Sequence, residues 1–190
     1  MSKFIITLIT MVLFIFQSLC QSQIPSNESL IAAAKEGDLA GVRVMIEQGA
    51  SPTGTNQYGQ TALMFASNEG HKDVAEFLIQ QGADVNAVDG QGNSALMDAA
   101  GGGFFPDLIK LLYEKGAKVN AINKNGDTAL IIAAGSGHEE TVKMLVKYKA
   151  DISIKNCKGK TAFDAATEKG YASIAAFLKN QALLKVNIWQ

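Results

Sequence analysis

Residues 123–138, Asn123-Lys-Asn-Gly-Asp-Thr-Ala-Leu-Ile-Ile-Ala-Ala-Gly-Ser-Gly-His138, hold a turn, a helix start, a short helix and a helix stop in sequence. Asn123 and Gly126 suit a tight turn because Asn and Gly tolerate positive φ. Thr128 stands where a hydroxyl caps a helix N-terminus. The run from Ala129 to Ala134 reads as a short helix whose alanines let a neighbour approach closely, and Gly137 ends it.

The same stretch recurs along the chain. Gly59, Gly92, Gly126 and Gly159 are spaced by 33, 34 and 33 residues. Thr61, Ser94, Thr128 and Thr161 follow at the same spacing, then Ala62, Ala95, Ala129 and Ala162, then Leu63, Leu96, Leu130 and Phe163. A second series is Gly49-Ala50, Gly82-Ala83, Gly116-Ala117 and Lys149-Ala150. Gly70, Gly137 and Gly170 close the first helix of a unit. A longer helix follows, as in Val74, Ala75, Phe77, Leu78 and Ile79, whose apolar residues fall at helical spacing. Five units result, at about 26–52, 53–85, 86–119, 120–152 and 153–184. The first lacks a leading turn and the last ends in a long helix, as caps would. Terminal units need polar outer faces. Glu28, Lys35, Glu36, Asp38 and Arg43 supply one, and Lys169, Lys179, Asn180 and Lys185 the other.

These residues resemble the ankyrin repeat, whose fingerprint includes Thr-Pro-Leu-His-x-Ala. The chain reads Thr61-Ala-Leu-Met-Phe-Ala66, Ser94-Ala-Leu-Met-Asp-Ala99 and Thr128-Ala-Leu-Ile-Ile-Ala133, so the Pro and His of the pattern are replaced. Gly70-His71, Gly137-His138 and the tails Gly82-Ala-Asp-Val-Asn86 and Gly116-Ala-Lys-Val-Asn120 keep to it. The resemblance covers about residues 26–184. It implies an all-α repeat solenoid of about five stacked repeats, each a helix-turn-helix with a β-hairpin loop. It also implies a protein partner bound on the concave face that the hairpin tips and short helices line. The Thr-Ala-Leu-Met form is similar to many bacterial ankyrin proteins, and small exported ones are similar to immunity-type proteins that block a cell-wall peptidase of the same cell.

Lys3 followed by the apolar run Phe4 to Phe16 reads as a secretory signal peptide over residues 1–22, cleaved near Cys20 to Ser22. The run is about 13 residues, short of the roughly 18 to 20 that span a bilayer. Lipidation of Cys20 is the competing fate, but Leu19 stands where a lipoprotein signal has a small residue. The expected location is periplasmic or secreted, with no membrane attachment after cleavage. The mature chain then keeps only Cys157, so no internal disulfide forms. A tail, 185–190, carries the single Trp, Trp189. It either packs over the last repeat or acts as a hook for a partner.

Charge is balanced, with 17 basic and 18 acidic residues and a net charge of -1, which leaves no electrostatic footprint for nucleic acid. No catalytic constellation is legible, and no cofactor or metal is expected. His71 and His138 occupy one repeat position, read as helix-capping and turn-bonding groups, and are not at ligand spacing. Cys157 has no His partner for nucleophilic work. Gly101-Gly102-Gly103 lacks the strand and the Gly-Lys-Ser/Thr of a phosphate loop. Asp98 and Asp164 are out of register and read as solvated.

The expected partner surface consists of the tips and the groove row. The tips offer Gln57, Tyr58 and Gln60, then Gln91 and Asn93, then Lys124, Asn125 and Asp127, then Lys158 and Lys160. The groove row is Phe65, Asp98 and Ile132, with Asn68 and Glu69 at a helix end. Tyr58 reads either as an interface anchor or as a ring lying flat on its neighbour. The turn containing Phe104 and Phe105 breaks the period by one residue. Either one Phe replaces the family His and the other is exposed as a contact, or both fold under. Lys155, Lys158, Lys160 and Lys169 make the C-terminal end of the groove basic, while Glu69 and Glu36 lie toward the other end. That polarity either steers an acidic partner patch or is plain solvated surface. The function expected is non-catalytic protein binding in the cell envelope by a chain that is monomeric when free, most specifically inhibition of a peptidoglycan peptidase. The alternative is an exported scaffold supporting a periplasmic enzyme such as an oxidative-stress enzyme.

Overall fold

A computed structural model describes residues 25–187, with side chains to residue 184. The leader, 1–22, the side chains of the tail from 185 onward and the Trp189 reading lie outside the described residues. Among the described residues ten helices run in chain order: α1 (Asn27–Lys35), α2 (Leu39–Glu47), α3 (Ala62–Glu69), α4 (Lys72–Gln80), α5 (Ala95–Gly102), α6 (Pro106–Glu114), α7 (Ala129–Ser136), α8 (Glu139–Lys147), α9 (Ala162–Glu168) and α10 (Ala172–Asn187). They form five antiparallel pairs. The odd-numbered helices pack on one another as an inner layer, and each even-numbered helix backs its own partner.

The inner layer closes up because its facing residues are small. Ala62, Ala66, Ala95, Ala99, Ala129, Ala133, Ala162 and Ala166 are all buried. Leu30, Leu63, Leu96 and Leu130 fill the space between layers, against Val42, Leu78, Leu112 and Leu145 of the outer helices. Phe163, which continues the leucine series, is 38% exposed at the end of the stack, beside a hollow it shares with Ile152 and Leu178. The closest approach lies between α3 and α5, where a side chain at Gly102 would run into the carbonyl oxygen of Asn68.

Three lines of hydrogen bonds run along the stack. At the tips, the amides of Gly90, Lys124 and Cys157 donate to the carbonyls of Tyr58, Gln91 and Asn125 at 2.8–2.9 Å. Below them, Asn86 and Asn120 each clamp the following loop. The Asn86 amide donates to the Gly116 carbonyl and its oxygen accepts from the Lys118 amide, at 3.0 and 2.9 Å. The Asn120 oxygen accepts from the Asp151 amide at 2.8 Å. On the far side, His71 donates to the Lys35 carbonyl and His138 to the Ala100 carbonyl, at 2.9 and 3.0 Å. The histidines therefore cap the preceding repeat's inner helix. Their own helices receive no side-chain cap from them.

Several expectations are corrected. The loops are not β-hairpins in the sense of paired strands. Among the described residues only two isolated bridges occur, Thr55 with Thr61 and Val88 with Ser94. A tip is held instead by an Asx turn, in which Asn56, Asp89, Asn123 or Asn156 accepts two amides of its own loop. Thr61, Thr128 and Thr161 cap their helices, but Ser94 makes no cap bond. Asp164 is not a free solvated carboxylate, since it completes a capping box with Thr161 at 2.9 Å.

The break in period resolves to one residue. Gly70 and Gly137 pass directly to His71 and His138, whereas Phe104 intervenes between Gly103 and Phe105. Phe105 takes the histidine position and lays its ring over Gly70, while Phe104, the inserted residue, is 51% exposed.

Lys149 is the one non-glycine at positive φ among the described residues (φ 68°), at the position that Gly49, Gly82 and Gly116 occupy elsewhere. Left-handed backbone costs an L-residue about 1–2 kcal/mol, part of which glycine returns through its freer unfolded chain. Lys149→Gly is expected to raise stability by about 1 kcal/mol. Gly102→Ala is expected to lower it by about 2 kcal/mol, as overpacking against backbone does. Urea denaturation midpoints at constant m-value check both.

Candidate partner-binding groove

The inner helices present one residue per repeat to the groove at their fourth position, which follows from the repeat period. Phe65, Asp98, Ile132 and Ala165 form this row, and the first three are half-buried. Two hollows interrupt it. The first, about 260 Å³, is lined by Lys35, Gln60, Met64, Phe65, Asn68, Glu69 and Asp98. The second, about 280 Å³, lies further along, between Ile132, Ala165 and the cations Lys158, Lys160 and Lys169. A further depression crosses the tips from Gln57 and Tyr58 to Gln91. The first hollow and the tip depression meet at Gln60, so Gln57, Tyr58, Gln60, Gln91, Phe65, Asn68, Glu69 and Asp98 border one surface, while Asp127, Ile132, Lys158 and Lys160 line the second hollow.

Several expected contact residues are engaged by neighbours or lie away from these hollows. Asn93 and Asp127 are occupied in the stack, for Asn93 accepts from the Asn123 amide and Asp127 from the Asn156 amide, at 2.8 and 2.7 Å. Lys160 pairs with Glu168 at 2.5 Å, so it adds less free positive charge than its sequence position promised. Lys124 and Asn125 are exposed on their tip. Phe104 and Phe105 follow the C-terminal end of α5, about 12 Å from the tips by the rise of an eight-residue helix, and border none of these hollows. Phe105 also packs against the core.

Asp98 is the electrostatic exception in the row. Among the described residues no hydrogen bond or ion pair reaches its carboxyl group. Burial first, and then the negative charge of Asp89, push its pKa from the ordinary 3.8 up to about 7. The expectation that Asp98 is solvated is therefore corrected: the row lies deep enough between α3 and α7 to strip much of its water. Among the described residues, no group of three or more metal-binding side chains occurs, and no helix is long and apolar enough to cross a membrane.

Three copies of the ankyrin repeats family model match the sequence, over residues 14–89, 30–123 and 96–188. The chain belongs to the ankyrin-repeat family. No curated protein matches it. Ankyrin repeats generally mediate protein–protein binding and are typically non-catalytic, and the observed groove is of that kind: open and built on fixed backbone. In this ankyrin stack the sequence reading missed Lys35 as a groove residue and placed it on the outer cap face. It follows the Asn68 row one repeat back, so extending that row would have found it.

Protonated Asp98 is favoured by folding. Its contribution to stability is therefore fully present below about pH 3.8 and is lost as pH rises through about 7. Asp98→Asn should stabilise the protein at pH 8 by on the order of 2 kcal/mol, with the difference from the parent shrinking toward zero near pH 4. Paired urea titrations across that range check the sign and the window.

Proposed function

We propose that this ankyrin stack is an exported binding protein that grips a protein partner along the groove, most specifically one that inhibits a cell-wall peptidase by covering its cleft. The supporting observation is the state of the tips. Their backbone is tied down by Asx turns and by bonds to the neighbouring repeat, yet Tyr58 stands 64% exposed on one of them. A large aromatic side chain held on rigid backbone loses little entropy on binding and serves as an interface anchor. The apolar leader at residues 4–16 supports export, and an exported inhibitor needs no chemistry beyond a shaped face.

Tyr58→Ala combined with Phe65→Ala should weaken partner capture from the native envelope at least tenfold, about 1.4 kcal/mol. The thermal midpoint should change little for the Tyr58 substitution alone. Adding the purified chain to a peptidoglycan digest by the captured fraction should slow hydrolysis. Undiminished hydrolysis would overturn the peptidase reading and leave partner binding standing. Equal capture by the double variant would overturn the groove itself.

A further inference from the structure

The 260 Å³ hollow has a composition that binding in general does not require. Its floor holds one carboxyl group, Asp98, with no partner of its own. Its wall is the half-buried ring of Phe65, with Met64 beneath and Gln60 and Glu69 at the mouth. Lys35 stands on the rim, exposed, and makes no ion pair among the described residues. An unneutralised carboxylate beside an aromatic face is complementary to a cation that is also flat. A guanidinium can stack on the ring and donate two parallel hydrogen bonds to the carboxylate.

We propose that this hollow receives one arginine side chain of the protein partner, its guanidinium set between the Asp98 carboxylate and the Phe65 ring. The proposal rests on the reading that a protein lies in the groove, and it adds the chemistry of one contact. A guest cation supplies the counter-charge that the fold withholds. An ammonium would satisfy the charge but could not match the plane of the ring, so lysine is the poorer guest. The guest binds the ionised form of Asp98, so binding strengthens as pH rises toward 8. The charged groups around Asp98 are Asp89 from its own tip, Glu69 from the end of α3 and Lys35 from the end of α1. Helix α7, on its other side, contains no charged residue, and the neighbouring tip's Asp127 accepts from Asn156. Asp89 and Glu69 reinforce attraction of a cation, and Lys35 opposes it.

The test needs no partner. The full chain, labelled with 15N, is titrated with Nα-acetyl-arginine amide, with the lysine amide, and with Nα-acetyl-citrulline amide, which keeps the shape of arginine without its charge. At pH 8 the arginine amide should give saturable shifts centred on Phe65, Asn68 and Asp98, and the citrulline amide none. Affinity should fall about tenfold or more at pH 5.5, where Asp98 is mostly protonated. Asp98→Asn should lose the binding together with its pH dependence while giving a folded amide spectrum, and Lys35→Ala should strengthen it about twofold. Absence of saturable shifts with the arginine amide at pH 8, equal shifts from the citrulline amide, or unchanged binding to the Asp98→Asn variant would each overturn the proposal. Tighter binding of the lysine amide would overturn the role given to the ring. Failure here would leave partner capture by the groove untouched, because that is measured separately with Tyr58 and Phe65 substituted.

Discussion

Everything in this molecule depends on how closely the inner helices approach one another. Alanine at two positions per turn-and-a-half of α3, α5, α7 and α9, and Gly102 against the carbonyl of Asn68, bring neighbouring backbones together. That spacing sets the distance at which one tip's amide meets the preceding tip's carbonyl. It also sets the reach of His71 and His138 to the helix before them. Larger residues in the inner layer would pull all three lines of bonds out of range together. The stack is therefore cooperative over neighbours although every contact is short-ranged.

The architecture was legible because it is periodic. A hydroxyl residue, an alanine and a large apolar residue recurring at nearly one spacing state the same local solution four times, and agreement between turn, cap and stop residues left little freedom. What the sequence hid was the destination of side chains that cross a repeat boundary. His71 and His138 sit where a cap for their own helix would be expected, yet their rings turn backward, because the orphan carbonyls at the end of the preceding inner helix lie within reach. Asp98 and Asp164 differ by one position within otherwise equivalent helices. At the third helical position Asp164 returns to the amide of Thr161, whereas at the fourth Asp98 faces the groove with nothing to accept from. A single residue of register separates a cap from a desolvated acid. The Phe104–Phe105 pair could not be apportioned from spacing alone. Only the backbone path showed that Phe105 holds the repeat position and Phe104 is the addition.

The groove is not uniform from end to end. Its first half holds Glu69, Asp98 and the aromatic surfaces of Tyr58 and Phe65. Its second half holds Lys158 and Lys169 beside Ile132, with Lys160 already matched to Glu168. A guest that lies along it meets an acidic, aromatic region and then a basic one. On the proposed reading, such an arrangement would favour one direction of docking for an extended segment or a surface ridge.

A chain of units joined only to their neighbours ordinarily frays from its ends. Here alkaline pH acts on an internal junction as well. The acid that burial renders costly to ionise belongs to the third of five units, on the helix that must press against α3. Deprotonation places an uncompensated charge at the centre of the array, which weakens the joint between its first two units, as one block, and its last three, as another. A bound cation at that spot would act as a rivet, joining the two blocks.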